Sequence, residues 1–307
     1  MPRPWRPIPK SRRSGLLLLA GLLLFNGCDW GGDEVVALEK ELAGARALVE
    51  SLNYNEARPV YGRIYAELPE ADPHWRETAF GYASCLWHMM PPSEENLRQA
   101  EAVFGRLSEA AAGTAWGEAA RMNLARIQML RDYPGDEENP EAAIPILREL
   151  VERGNGYIRH EALLRLGECH RMDYLNRESI QKALDLYRDW LGKYPEGPLA
   201  SSLWEQVGWM ELLDFGRKRE ALDAFIKAEH LGLMDPSKKA TVLWRICQLA
   251  EEVGEFDLAV PYYRKVIREV PTTGRGYESQ LALKRIRKTV PGMENLEIPE
   301  LRIGGGR

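Results

Sequence analysis

The sequence contains few of the residues from which metal and redox sites are built. Its 307 residues include 5 histidines and 4 cysteines, and the cysteines form no CxxC pair. Three of the cysteines, Cys85, Cys169 and Cys247, lie in apolar stretches, so we expect buried free thiols and no disulfide framework. The GxSxG, HExxH and P-loop motifs are also absent. These absences favour a protein that is not an enzyme and that uses no metal or other cofactor.

Two short motifs carry residue types that occur in metal sites. Cys169 and His170 are adjacent, and adjacent side chains on a helix point about 100° apart, so the two do not converge on one ligand. His88 precedes Met89 and Met90, and imidazole with thioether suits copper. We interpret both motifs as helix packing, because neither has a second cluster nearby in the sequence. A metal-binding or enzyme-accessory protein is the alternative.

Basic residues are concentrated at the N-terminus. The formal net charge is -5, but residues 1–27 carry five basic residues and no acidic one. The remaining chain has 36 basic and 46 acidic residues, a net charge of -10. Nucleic-acid binding needs clustered cations that face phosphates, so this acidic body predicts no nucleic-acid partner. No small-molecule substrate is expected, because no catalytic motif is present.

Long hydrophobic runs are also missing. The most apolar stretch, residues 16–25, spans ten residues, whereas a membrane-crossing helix needs about twenty. A basic segment precedes it and Asn26-Gly27-Cys28 follows it, which is the layout of an export signal. This layout resembles a bacterial lipoprotein signal, in which lipid is attached to the first cysteine of the mature chain, here Cys28. Phe25 and Asn26 depart from the leucine and the small residue that the family prefers at those positions.

The lipoprotein resemblance implies a signal peptide over residues 1–27 and a tether over residues 28–36. The body would then be anchored to the bacterial cell envelope by lipid and would face the periplasm. Asp29 resembles an inner-membrane retention signal, so the inner membrane is favoured over the outer one. An ordinary cleaved signal with an incidental cysteine is the alternative. Residues 11–17 partly resemble a twin-arginine signal, so the export route stays open.

A helical repeat fills the rest of the sequence. From residue 35 to residue 290 the chain reads as helix after helix, and strand-like alternation is absent. The repeating unit is an alanine, a bulky apolar residue four positions later and another apolar residue three beyond, often followed by a proline. Six copies occur: Ala57-Tyr61-Ile64-Pro69, Ala100-Phe104-Leu107, Ala143-Leu147-Leu150, Ala183-Tyr187-Trp190-Pro195, Ala221-Phe225-Ala228 and Ala259-Tyr263-Val266-Pro271. The alanines are separated by 43, 43, 40, 38 and 38 residues.

Each unit predicts a pair of packed helices. The alanine lets two helices cross closely, and the bulky residue one turn later lies on the same face and fills the space beside the partner helix. Proline ends the second helix, because it has no amide hydrogen to donate. The first helix of each pair lies upstream, with Leu163, Leu166 and Gly167 in the fourth unit and Trp204 and Gly208 in the fifth.

This pattern resembles the tetratricopeptide repeat family, whose signature is W-x2-L-G-x2-Y…A-x3-F…P over about 34 residues. The resemblance implies an all-α fold, a right-handed α-solenoid of about six helix pairs over residues 37–290. Residues 277–288 are predicted to form the polar helix that caps such an array. Residues 291–307, which include three consecutive glycines, are predicted to be a flexible tail.

In this family the first helix of each pair lines the concave side of the superhelix. The repeat phasing places ten side chains on that side: Phe80, Trp87, Met122, Arg126, Glu168, Arg171, Glu205, Trp209, Trp244 and Gln248. Tryptophan and arginine are enriched at interface hot spots, so we predict that this surface binds peptide or helix segments of partner proteins. The alternative is that the tryptophans only fill gaps between repeats.

The sequence therefore predicts a lipid-anchored scaffold that recruits other proteins in the bacterial envelope. A lipidated cysteine followed by tandem repeats is also the layout of the BamD-type outer-membrane assembly lipoproteins. A part in outer-membrane protein assembly, implied by that resemblance, is one alternative. A structural repeat that associates with itself through its basic end helix, which carries Lys284 and Arg287, is another.

Overall fold

The computed structural model describes residues 32–130, 139–173, 175–233, 235–271 and 274–301. None of these residues forms a β-strand, and most of them belong to thirteen α-helices. The helices are α1 (Gly32–Glu50), α2 (Tyr54–Glu67), α3 (Trp75–His88), α4 (Glu94–Ala110), α5 (Ala115–Leu130), α6 (Pro140–Arg153), α7 (Gly156–Met172), α8 (Arg177–Lys193), α9 (Ala200–Trp209), α10 (Lys218–His230), α11 (Pro236–Glu252), α12 (Phe256–Glu269) and α13 (Gly274–Thr289).

The helices form six consecutive packed pairs and one end helix. We call α1, α3, α5, α7, α9 and α11 the first helices, and α2, α4, α6, α8, α10 and α12 the second helices. Each helix packs against the next one along the chain, and α13 packs on α12. The buried apolar residues described form five successive clusters instead of one central core. This stacking is an α-solenoid, and it confirms the predicted all-α class and the number of pairs.

The repeated alanines confirm the predicted packing. All six of them are completely buried: Ala57, Ala100, Ala143, Ala183, Ala221 and Ala259. The bulky residue four positions after each alanine is buried as well, including the rings of Tyr61, Phe104 and Tyr187. The small residue and the large one therefore share the face of the second helix that contacts neighbouring helices.

Glycines on three first helices, Gly81, Gly167 and Gly208, make close contact with aromatic rings on second helices. The ring of Tyr187 covers Gly167, and the ring of Phe225 covers Gly208, so closely that a Cβ atom on either glycine would overlap the ring. The Tyr187 hydroxyl also donates a hydrogen bond to the carbonyl oxygen of Leu164, at 2.8 Å. Only glycine fits these positions without displacing the ring.

The loop between α3 and α4 supplies the residue that caps α4. The Ser93 hydroxyl oxygen accepts a hydrogen bond from the amide of Asn96 at 3.2 Å and caps α4. Glu94 and Glu95 lie in the first turn of α4, where the helix dipole favours acidic side chains.

First helices approach one another along the array. α1 packs against α3, α3 against α5, and α5 against α7, whereas no pair of described second helices has a comparably close backbone approach. Helices on the inner side of a curved stack are closer together than those on its outer side. In this part of the array the first helices therefore lie on the inner side.

Both ends of the array differ from the prediction. Helix α1 begins at Gly32, so residues 32–36 are helical and do not belong to the tether. Described residues of the predicted flexible tail pack on the last helices: Met293, Leu296, Ile298 and Leu301. The side-chain amide of Gln280 also donates to the Pro299 carbonyl oxygen at 2.7 Å. These apolar side chains cover the exposed end of the stack, within the segment for which the sequence predicts a flexible tail.

A π-helical turn, Met210–Asp214, continues α9 and was not predicted. Glu211 in this turn is completely buried. Its carboxylate accepts hydrogen bonds from Arg188 and Arg217, the latter at 3.3 Å. The buried charge is therefore neutralised by two arginines that are themselves partly exposed.

Candidate protein-interaction surface

The ten predicted binding residues all lie on first helices. Two occur on each of five helices: Phe80 and Trp87 on α3, Met122 and Arg126 on α5, Glu168 and Arg171 on α7, Glu205 and Trp209 on α9, and Trp244 and Gln248 on α11. We call the surface that these residues form the first-helix wall. Whether it binds a partner stays a prediction.

Burial divides the first-helix wall into two groups. Met122, Arg126 and Glu205 are only 3, 8 and 6% exposed. The other seven residues, among them the three tryptophans, are half-buried. The tryptophans therefore pack partly between repeats, as the alternative interpretation holds, while each keeps part of its ring accessible.

Arginines from the next first helix, or from the end helix α13, lie over the tryptophan rings. The Cζ atom of Arg126 is 5.0 Å from the centroid of the Trp87 ring, and that of Arg245 is 5.4 Å from the Trp209 ring. Arg275, at the start of α13, lies 5.0 Å from the Trp244 ring. Stacking of this kind combines cation–π attraction with a flat contact area. The pairs join α3 to α5, α9 to α11, and α11 to α13.

Polar contacts join first helices between these stacked pairs. Arg171 donates from Nη1 to the side-chain oxygen of Gln206 at 2.8 Å, which links α7 to α9. The Nζ atom of Lys238 lies 3.0 Å from Glu205, which links α9 to α11. The Trp209 indole nitrogen is 3.4 Å from the other oxygen of Glu205. Several predicted binding residues therefore already have partners within the chain.

A charged cluster on α7 was not predicted from the sequence. Arg165 donates from Nη1 to Glu168 at 2.7 Å, and its Nη2 lies 3.7 Å from Glu161. Burial, and next the charge of Arg165, lowers the pKa of Arg126 on the neighbouring helix. The repeat spacing gives no signal for this cluster, because Arg165 and Glu161 fall outside the phased positions.

The histidines and cysteines singled out by the sequence are packed among other side chains. The ring of His88 stacks on Trp87 with 4.4 Å between centroids, and burial, followed by the charge of Arg126, lowers the pKa of His88 to about 4. Cys85, Cys169 and Cys247 are buried free thiols, as predicted. Burial raises the pKa of Cys85 to about 12. Within the described ranges, no group of three or more His, Cys, Asp or Glu side chains could hold a metal ion.

The residues on which the membrane predictions depend lie outside the part of the chain that the structure describes. These are the signal peptide, residues 1–27, the predicted lipidation site Cys28, and Asp29. Among the described helices, none combines the length and the apolar character that a bilayer span requires.

Stacked helix pairs and a wall of tryptophan and arginine side chains define an α-helical repeat protein with an extended surface. Residues 135–198, which include α6, α7 and α8, match the model of the tetratricopeptide repeat family. No curated protein matches the sequence.

Three solved structures are similar in fold over most of this chain. The assembly chaperone of RpL4 (Acl4, residues 1–338) is 14% identical with a TM-score of 0.48, and the match covers 83% of this chain and 99% of that chain. BtubC (BKLC) from P. vanneervenii is 15% identical with a TM-score of 0.44, covering 88% and 97%. A human IFIT1 dimer with PPP-AAAA is 18% identical with a TM-score of 0.35, covering 84% and 66%.

Proposed function

We propose that this chain is a scaffold that binds other proteins through the first-helix wall while lipid on Cys28 anchors it to the bacterial envelope. The observation that supports binding is the row of half-buried tryptophans, Trp87, Trp209 and Trp244, each with an arginine over its ring. Curved helical arrays offer extended surfaces to partner segments. Partly exposed tryptophan and arginine are the residue types on which binding energy is most often concentrated.

The anchor half of the proposal is supported by the sequence. A basic start, a ten-residue apolar run and Asn26-Gly27-Cys28 have the layout of a lipoprotein signal. Because α1 begins at Gly32, only four peptide steps separate it from Cys28, a reach of about 14 Å when fully extended. A lipidated Cys28 would therefore hold the first helix pair close to the membrane surface, on its periplasmic side. Asp29 favours the inner membrane.

Outer-membrane protein assembly is a narrower form of this proposal. It is supported only by the shared layout of an N-terminal cysteine and tandem repeats. The identity of the proteins that contact the first-helix wall distinguishes it from other roles in the envelope.

Site-specific photocrosslinking in intact cells tests the binding surface. A benzophenone amino acid replaces Gln248 on the first-helix wall or, as the matched control, Asp223 on the exposed side of second helix α10. We expect specific adducts from position 248 and few from position 223. Equal labelling at the two positions, or no adduct from position 248 and from a second wall position, Phe80, contradicts the proposal.

Lipid attachment is tested separately. Cells grown with labelled palmitate should label the chain, and the Cys28→Ser variant should lose the label. The mass of the N-terminal peptide shows whether the signal is removed in each form, because an unprocessed signal holds the variant at the membrane by itself. A wild-type chain whose mature N-terminus lies beyond residue 28, or whose Cys28 carries no acyl group, refutes the anchor.

A further inference from the structure

Among the described residues, five arginines lie over a tryptophan ring. In three of these pairs the chain itself supplies a hydrogen-bond acceptor to the guanidinium. Arg106 pairs with Glu70, and Arg275 lies 3.4 Å from Glu278. Arg159 donates from Nε to a backbone carbonyl oxygen at 2.7 Å. An acceptor beside the stacked guanidinium is therefore the usual arrangement in this protein.

Arg126 and Arg245 lack such an acceptor. The Nε atom of each is buried without a hydrogen-bond partner, and neither arginine makes an ion pair with any residue of the described ranges. Arg126 is only 8% exposed. A buried guanidinium nitrogen that lacks an acceptor is unfavourable, so Arg126, and to a smaller extent the half-buried Arg245, favour an acceptor from another molecule. Both residues belong to first helices, α5 and α11.

The surroundings of Arg126 do not neutralise it locally. The nearest carboxylates on α7, Glu161 and Glu168, contact Arg165 and lie beyond ion-pair distance of Arg126. One face of the Trp87 ring is covered by His88, whose depressed pKa keeps it neutral at pH 7. The guanidinium of Arg126 therefore lies over Trp87, and no described carboxylate is within ion-pair distance of it.

We infer that Arg126 and Arg245 each receive a side-chain carboxylate from an acidic segment of a partner protein lying along the first-helix wall. This inference rests on the proposed scaffold function and adds the chemistry of the partner. The Arg275–Glu278 pair provides an internal precedent, because there a carboxylate lies beside a guanidinium stacked on Trp244. A planar guanidinium binds a carboxylate through two parallel hydrogen bonds. The body has a net charge of -10, so it repels acidic groups of a partner that do not lie beside one of these arginines. This repulsion favours partners whose acidic residues match the positions of Arg126 and Arg245.

Binding of designed peptides to the purified full-length chain in detergent tests this inference. Three fluorescein-labelled peptides of equal length share their leucines and a glutamine background, and they differ only in carrying Glu, Gln or Lys at two chosen positions. Fluorescence anisotropy gives the Kd of each. We expect the Glu peptide to bind at least about tenfold more tightly than the Gln peptide, and the Lys peptide to bind weakest.

The variants Arg126→Gln and Arg245→Gln should each weaken binding of the Glu peptide about tenfold while leaving the Gln peptide unchanged. Arg275→Gln is the matched control. It also removes a guanidinium from a tryptophan ring, but this guanidinium is already paired with the carboxylate of Glu278. It should leave the Kd nearly unchanged. Circular dichroism identifies any variant that fails to fold. If Arg126→Gln does not fold, Arg126→Lys replaces it, because lysine keeps the positive charge but cannot form the two parallel hydrogen bonds to a carboxylate.

Equal binding of the Glu and Gln peptides, or an unchanged Kd in both variants, overturns the inference. A labelled thymidine oligonucleotide that binds as tightly as the Glu peptide also overturns it, in favour of a phosphate backbone. The scaffold function is tested independently by the adducts at position 248. Adducts that persist in the Arg126→Gln/Arg245→Gln double variant leave the scaffold intact and refute only the acidic partner.

Discussion

Replacement of Gly167 by alanine tests whether the close approach of α7 and α8 holds this part of the array together. A Cβ atom at Gly167 would lie well under 3.0 Å from two ring carbons and the hydroxyl of Tyr187. The Tyr187 ring is completely buried, so it has no free space into which to move. Its displacement would also break the 2.8 Å hydrogen bond from its hydroxyl to the Leu164 carbonyl oxygen.

Three contributions set the magnitude. Alanine in place of glycine in a helix interior stabilises by about 0.5–1 kcal/mol. Overpacking a filled core costs about 1–3 kcal/mol, and loss of the Tyr187 hydrogen bond costs about 1 kcal/mol more. The clash outweighs the gain in helix propensity, so Gly167→Ala should destabilise the protein by about 1–3.5 kcal/mol. Gly105→Ala is the control, because no atom lies within 4 Å of its Cβ position, and it should stabilise by about 0.5–1 kcal/mol.

Urea unfolding followed by circular dichroism measures both variants, and amide exchange in α7 and α8 localises the effect. The double variant Gly167→Ala/Tyr187→Phe adds a second check. Once the alanine has displaced the Tyr187 hydroxyl, removal of that hydroxyl by Tyr187→Phe should cost almost no further stability. The losses of stability from the two single substitutions should therefore not be additive. A Gly167→Ala protein as stable as the Gly105→Ala protein would refute the interlocking of glycine and ring.

Further predictions concern buried ionisable groups. Glu211→Gln should destabilise by about 1–3 kcal/mol, measured by urea unfolding, because its buried carboxylate binds two arginines; a change below about 0.5 kcal/mol, typical of exposed pairs, contradicts this. His88 should titrate near pH 4 by NMR. Because the unfolded chain binds its proton near pH 6.5, stability should fall between pH 6.5 and 4, and His88→Gln should remove part of that fall. Cys85 and Cys169, whose pKa burial raises to about 12, should resist disulfide reagents at pH 8 until the chain unfolds.

The fold could be predicted from the sequence because its packing signal is local. Ala183, Tyr187 and Trp190 lie within two turns of one helix, and their spacing alone specifies which face contacts neighbours. Recurrence of the same spacing six times then specifies a stack of helix pairs. The packed end of the array was missed because the three glycines of residues 304–306 suggested a flexible segment. The apolar residues before them, such as Leu296 and Leu301, carried the opposite signal.

The contacts between first helices could not be predicted in the same way. Trp209 meets Arg245, and Trp87 meets Arg126, across loops of unequal length and, for the first pair, across an inserted π-helical turn. Which residue of the next helix lies over a ring therefore depends on the rotation between successive pairs. Repeat phasing places Trp87 and Arg126 on first helices, where the structure also has them, but it contains no information on that rotation.

The internal partners of the first-helix wall limit where a partner protein can gain binding energy. Glu205 binds Lys238, and Arg171 binds Gln206, so a ligand that contacts them must first replace bonds that already exist. Such an exchange contributes little net free energy. The Nε atoms of Arg126 and Arg245 have no hydrogen bond within the chain that a ligand would have to replace. Each guanidinium lies over a tryptophan ring, and this contact restricts its motion before a ligand binds. Affinity along the first-helix wall should therefore be concentrated at these two arginines, although most of the contact area belongs to the other residues.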